Sequence, residues 1–392
     1  MANKEYNFNL APLFSFNDIL KSNYYRKIPY SSSSAACRLE MLFSIISPLY
    51  SGDLLVRRTR MRLIRKIETL RDSRVIVYYT GDRRHQEIRI ASDIHPFFFK
   101  HLQRIGEVGK IDLFLYSPGG ITMAGYGLVS LVREFCKEFN VIIPFRALSC
   151  ATLISIGANE VIMTKNAMLS PIDPSVQHPL APTVDLGQGP KIVPVNVEDA
   201  ISFINLAKEE GGLKDDSSLS KVFERLSTEV HPLTLGAVAR SREQIGFLAQ
   251  SLLEYHMKDK DRIEKIVKTL TRERFSHQYL ISRREAKETL DLNIKDAEQN
   301  EELNKTVLAL HDQYDDLLSL RVPYHPESYL GQNNQANVEL NRGILESKNF
   351  THAFRSKLRV QRIQVTIPPS PVPTTAHQTN LLGEGWVLDN SI

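Results

Sequence analysis

Between Asp112 and Pro174 the chain runs twice through one local pattern: an apolar strand, a sharp turn of small residues, then a helix. The strand Ile111 to Tyr116 ends at Ser117-Pro118-Gly119-Gly120. The strand Val141 to Phe145 leads into Leu148-Ser149-Cys150-Ala151-Thr152, and Leu169-Ser170-Pro171-Ile172-Asp173-Pro174 closes the stretch. Strands and helices alternating over short connections build a parallel sheet through βαβ crossovers, so the expected class is α/β. Chemistry then belongs at the turns. Glycine brings backbone N–H groups close to a ligand, and the first N–H groups of a helix have no internal partner. Ser149 opens a helix, where the dipole and the Cys150 N–H stabilise charge beside its hydroxyl. A serine there also serves as a plain N-cap. Side by side, the two turns would make an oxyanion site and a nucleophile.

The flanking segments extend this pattern. Met61, Ile64, Ile67 and Leu70 recur at helical spacing with a basic outer face, and Arg74 to Tyr79 reads as a buried strand. Asp93 is placed to cap a helix carrying Ile94, Phe97, Phe98 and Leu102. Glu160 to Thr164 is a fourth strand. Beyond Pro174 a Pro-, Gly- and Val-rich flap loop (175–197) precedes a helical region (198–272), with long helices over Pro232–Lys258 and Lys260–Thr271. Ser282-Arg283-Arg284-Glu285 is a capping box, Leu292-Asn293-Ile294 a terminal strand, and Glu301 to Leu320 an amphipathic helix. The division expected is an N-terminal extension (1–57), a main domain (58–320) and a polar, Pro-containing C-terminal extension (321–392) in which Val360 to Ile367 adds an edge strand.

Composition excludes several classes. The formal net charge is +4 over 392 residues, and the short basic clusters lie on helical segments, which argues for solvated faces rather than a nucleic-acid groove. Three cysteines, Cys37, Cys136 and Cys150, are too few for a disulfide framework and fit a reducing cytosol. No metal-type Cys/His spacing appears, and no window approaches a membrane-spanning run, so a cytoplasmic protein without cofactor, metal or integral membrane segment is expected.

A serine nucleophile needs a base and an orienting group. His277 stands just before the Ser282 helix, His231 suits a helix cap, and His85, His95, His101 and His178 stand elsewhere. Asp173 lies in a rigid, largely apolar setting, as either a turn acceptor or an orienting carboxylate. Spacing alone leaves these alternatives open. Cys150 is an alternative nucleophile, against the reading of a small buried thiol.

The motifs Ser73-Arg74-Val75-Ile76, Ser117-Pro118-Gly119-Gly120, Ser149 with Thr152, Pro171-Ile172-Asp173-Pro174, His231-Pro232, Ser276-His277 and Glu285-Ala286-Lys287 occur here in one order. In them the chain resembles the serine dehydrogenase proteinase family, within the superfamily of the Clp proteolytic subunit, signal peptide peptidase A and the crotonases. The resemblance covers about Arg58 to Tyr314. It implies a Clp protease/crotonase-like ββα superhelix and an ATP-independent serine peptidase acting on a peptide or protein, assembled as a homo-oligomer. Carried over by motif, Ser149 is the nucleophile, Asp173 the carboxylate and His277 the base. Gly119, Gly120 and Cys150 form the oxyanion turns. A lysine such as Lys208, in the manner of signal peptide peptidase A, is the alternative base. The chain departs from the family at Cys150-Ala151, where Ala-Gly is usual. It departs again at Ser170, where Gly is usual, and at Gln278 and Leu280, where Asp and Pro are usual. These departures keep two rivals open: a non-catalytic scaffold and a crotonase-type acyl-thioester enzyme.

Overall fold

A computed structural model describes residues 56–172, 175–176, 178–185, 189–193, 195–271, 279–366 and 373–389. All belong to one structural unit, Val56–Ile392. A helix over residues 56–71 (α1) precedes β1 (Arg74–Thr80), α2 (His95–Ile105), β2 (Val108–Tyr116), α3 (Thr122–Arg133) and β3 (Cys136–Ile143). Then come β4 (Arg146–Ala147), α4 (Cys150–Ile156), β5 (Glu160–Met163) and β6 (Met168–Leu169). The flap carries four short strands, β7 (Ser175–Val176), β8 (Thr183–Asp185), β9 (Pro190–Ile192) and β10 (Val195–Asn196). Helices α5 (Val197–Glu209), α6 (Asp216–Glu229), α7 (Pro232–Glu254) and α8 (Lys260–Thr271) follow. The remainder is β11 (Ile281–Ser282), α9 (Arg283–Glu288), β12 (Ile294–Asp296), α10 (Glu301–Leu318), α11 (Glu327–Leu330), β13 (Gln335–Ser347), β14 (Phe350–Val365) and β15 (Thr374–Leu388).

The main sheet is eight-stranded, in the order β12-β5-β3-β2-β1-β13-β14-β15. From β12 to β1 every pairing is parallel; from β1 to β15 every pairing is antiparallel. This is a mixed α/β architecture with the parallel sheet that the motifs imply. Strand β1 is apolar and buried from Val75 to Tyr79 because both its faces are covered there. Ile76 and Tyr78 join a core with α2, α3, α4, α7 and α8, whereas Val75, Val77 and Tyr79 join a second core with α1 and α10.

Three departures from the sequence reading have physical causes. Strand β3 begins at Cys136, five residues early, because its polar residue Asn140 is buried and donates to Asp112 and Glu138. Asp93 lies in a 3-10 turn, Ser92–Ile94, and makes no cap; helix α2 starts after Ile94. The C-terminal segment read as a polar extension supplies β13, β14 and β15 of the main sheet. Strand β14 is an interior strand there, not an edge. The Pro-rich residues 367–372 lie outside the described residues.

The C-terminal strands meet α2 at a buried imidazole pair. His101 Nδ1 lies 2.7 Å from Ser347 Oγ, and its Nε2 lies 3.0 Å from His352 Nδ1. Burial pushes both imidazoles down, His101 to about 3 and His352 to about 4. Their mutual contact adds to the shift at His101, and nearby Arg104 (with Lys100 at His352) opposes a further positive charge. The unfolded chain takes up these protons near pH 6.5 and the folded chain does not. Stability is therefore full above about pH 6.5 and falls as pH drops toward about 4, by up to about 1.4 kcal/mol per pH unit for each group. Urea midpoints at pH 7.5 and pH 5 should differ accordingly, and His352→Gln should flatten the slope. An unchanged midpoint in wild type across that range would contradict the account.

Candidate active site

The two turns named in the sequence lie against each other. Ser117 at the end of β2 bridges Ala147 of β4: the Ser117 N–H donates to Arg146 O and the Leu148 N–H donates to Ser117 O, both at 3.0 Å. The first turn is pinned from within. Thr80 Oγ1 donates to Ser117 Oγ at 2.6 Å, and the Gly119 N–H donates to the same oxygen at 3.0 Å. A Cβ on Gly119 would stand 2.8 Å from Ser149 Cβ, so only glycine lets the turns close. On Gly120 a Cβ would stand 2.1 Å from Ile90 O, because the backbone bonds Ile90 N–H to Gly119 O and Ile121 N–H to Ile90 O seat the turn on that residue.

Ser149 occupies a conformation L-residues rarely adopt, φ 52° and ψ −113°, immediately before α4. Such backbone costs on the order of 1–3 kcal/mol and persists only where the surroundings hold it. Here the Ser149 N–H donates to Ser170 Oγ at 2.7 Å. The Ser170 N–H donates to Thr152 Oγ1, which in turn donates to Ala147 O. Ser149 makes no side-chain cap, and among the described residues its hydroxyl has no hydrogen-bond partner. The plain N-cap role is thus unfilled. Ser149 is 8% exposed, and Ile121, whose carbonyl meets the Cys150 side chain, is 55% exposed.

The amides around Ser149 divide into two groups. Those of Gly119, Ser149, Ala151 and Leu153 are taken up locally. Among the described residues, those of Gly120 and Cys150 have no partner. Gly119 therefore contributes its missing side chain to the site, and its N–H is committed to Ser117. The Cys150 thiol is fully buried and donates to Ile121 O at 3.2 Å. Burial pushes its pKa up to about 12, partly offset by the Gly125 amide, so it stays a neutral thiol and is a poor nucleophile.

Asp173 and His277 lie outside the described residues. Their described neighbours, however, are anchored to the strand end beside Ser149. The Ile172 N–H donates to Leu270 O, in the last turn of α8. Ile281 of β11 pairs with Leu169 of β6. Residues 272–278 are thus flanked on both sides by positions tied to Leu169–Ile172, the piece that also holds the Ser149 amide through Ser170. The other histidines named in the sequence have different company: His95 bonds Ala124 O, His178 bonds the Thr234 hydroxyl, and His231 caps α7. Lys208 is exposed in the last turn of α5. Sequence reasoning passed over Ser170 as a bonding partner; the only signal was its presence where the family motif has glycine.

Residues 27–201 match the family model described as ClpP-like SDH-type serine proteinase. This segment is similar to that serine-proteinase family. Two proteins of Methanocaldococcus jannaschii are similar to the chain. The uncharacterized protein MJ1495 is 33% identical over 131 residues, covering 31% of this chain and 44% of its own length. The uncharacterized protein MJ0137 is 28% identical over 243 residues, covering 58% of this chain and 71% of its own. The chain thus spans less than half the length of MJ1495. Among solved structures, a mutant of the 1510-N membrane-bound stomatin-specific protease is 18% identical with a TM-score of 0.22, covering 34% of this chain and 64% of that one. A second mutant of that protease, in complex with a substrate peptide, is 19% identical with a TM-score of 0.22, covering 32% and 58%. Among the described residues, no helix is long and apolar enough to cross a membrane, and no group of three or more His, Cys, Asp or Glu side chains is gathered as for a metal.

Proposed function

We propose that the protein is a serine peptidase that works through an acyl-enzyme on Ser149. The observation that carries this reading is the Ser149 elbow itself: a strained backbone and, among the described residues, a hydroxyl without a hydrogen-bond partner and two unpartnered amides, Gly120 and Cys150, on facing turns. Strain retained at one residue whose hydroxyl makes no cap fits a nucleophile better than a cap. In this reading His277 takes the Ser149 proton as Oγ attacks the peptide carbonyl carbon. The carbonyl oxygen becomes an oxyanion received by the Gly120 and Cys150 N–H groups. Collapse breaks the C–N bond, with the proton passing from His277 to the leaving amine, and water then releases the acyl group by the same steps. Asp173 orients His277. The anchoring of residues on both sides of 272–278 to Leu169–Ile172 supports this assignment over Lys208.

The direct test is a fluorophosphonate probe on the full chain, with the adduct located by mass spectrometry. One label on the Ser149 peptide is expected. Folded protein that takes no label sinks the peptidase reading in favour of a scaffold, and saturable coenzyme A binding without label supports the thioester alternative.

A further inference from the structure

Cys150 does more than supply an amide. We propose that its side chain is a positioning residue that sets the spacing between the two turns, and so between the two amides assigned to the oxyanion. The inference rests on the peptidase reading above and deepens it. The thiol reaches across from the Ser149 turn to the Gly119–Gly120 turn: Sγ donates to Ile121 O at 3.2 Å, one residue beyond Gly120. Ile121 is held from its other side by its own N–H, which donates to Ile90 O at 2.8 Å. The residue after Gly120 is thus tied to Ile90 through its N–H and to the thiol through its carbonyl. Gly125 makes the reach possible, since a Cβ there would stand 2.5 Å from Sγ.

The same geometry accounts for a departure from the family pattern. Alanine is usual at position 150 and glycine at 151; this chain has Cys150 and Ala151. Ala151 is fully buried, and its methyl adds bulk to a turn that already carries positive φ at Ser149. A side chain at 150 that ties the facing turn restrains the one coordinate on which oxyanion stabilisation depends most, the separation of its donors.

The test is fluorophosphonate labelling kinetics, resolved into the apparent binding constant and the maximal labelling rate. Cys150→Ala should lower the maximal rate roughly tenfold with the binding constant unchanged, because the weak S–H···O bond and the packing of the buried sulfur between the turns are lost together. Cys150→Ser keeps a donor toward Ile121 O and should return the rate to within about threefold of wild type. Gly125→Ala, which drives the thiol off Ile121 O, should slow labelling as Cys150→Ala does; it serves as the independent variant should Cys150→Ala fold poorly. A maximal rate for Cys150→Ala equal to wild type overturns the inference, as does a Cys150→Ser variant no faster than the alanine. If wild type itself takes no label at Ser149, the peptidase reading falls and this inference with it. Wild-type labelling with indifferent variants removes the inference alone.

Discussion

Ser149→Ala is expected to fold as wild type and to lose peptide-bond hydrolysis by about four to six orders of magnitude. The fold should survive because the Ser149 side chain caps nothing; the bonds that hold the elbow run through its backbone N–H and O. Activity should not survive because the adjacent thiol, buried and neutral, cannot replace the hydroxyl. The residual rate would come from the Gly120 and Cys150 amides alone, which still stabilise attack by water. The measurement is release of fluorescent peptides from labelled, unfolded casein, alongside thermal melting of both proteins. His277→Ala should cost about as much, and Asp173→Asn less, since an orienting group acts through the base. Hydrolysis by Ser149→Ala at the wild-type rate would remove the serine mechanism. A dead Ser149→Ala with a fully active His277→Ala would move the base elsewhere, and Lys208→Ala would be the next variant to assay.

How far the site was legible follows from what kind of interaction holds each part. The strand–turn–helix rhythm from Asp112 to Pro174 announces a parallel sheet, and the β1, β2, β3 and β5 pairings follow it. The glycines of the first turn and the serine of the second are visible because only small residues fit such turns. Their reasons are three-dimensional. Gly119 is glycine because of Ser149, thirty residues on, and Gly120 because of Ile90, thirty residues before. Ser170 departs from the family pattern, yet its hydroxyl accepts the Ser149 N–H. A single substitution cannot announce a hydrogen bond to a residue 21 positions away. The C-terminal strands were harder still. Gln335–Ser347 alternates weakly and carries Glu339, Arg342 and Glu346, so it reads as a polar tail. What makes it a strand is a partner at the far end of the chain order, β1, with Val77 opposite Glu346 and Tyr79 opposite Ile344. Pairings between residues more than two hundred positions apart leave no local period to read.

That distant pairing makes Glu346→Ala the most damaging single change expected for stability, at about 3–5 kcal/mol. Glu346 is fully buried, and side chains from three other elements meet on its carboxylate. Arg60 of α1 donates through Nε at 2.9 Å and Nη2 at 3.3 Å. The Tyr314 hydroxyl of α10 donates at 2.5 Å, and Thr351 Oγ1 of β14 at 2.9 Å. Arg60 is also fully buried, and its Nη1 has no hydrogen-bond partner among the described residues. Removing the carboxylate would leave a whole guanidinium charge without compensation in the second core, together with an unpaired tyrosine hydroxyl. The same reasoning says that the pair is not itself a large source of stability, because desolvating both ions offsets most of their attraction. A double variant, Arg60→Met with Glu346→Leu, should therefore recover most of what Glu346→Ala loses, and this non-additivity is the signature to look for in urea unfolding. A single variant within about 1 kcal/mol of wild type would mean that the carboxylate does not compensate a buried charge. A double variant as unstable as the single would mean that the pair stabilises in its own right. Cutting the chain after Arg321 would remove Glu346 along with β13, β14 and β15, baring the edge of β1 and stranding Arg60. The C-terminal segment should therefore prove indispensable to the main sheet, whose strand β2 ends at the Ser117–Gly120 turn, although it contributes no residue to the proposed chemistry.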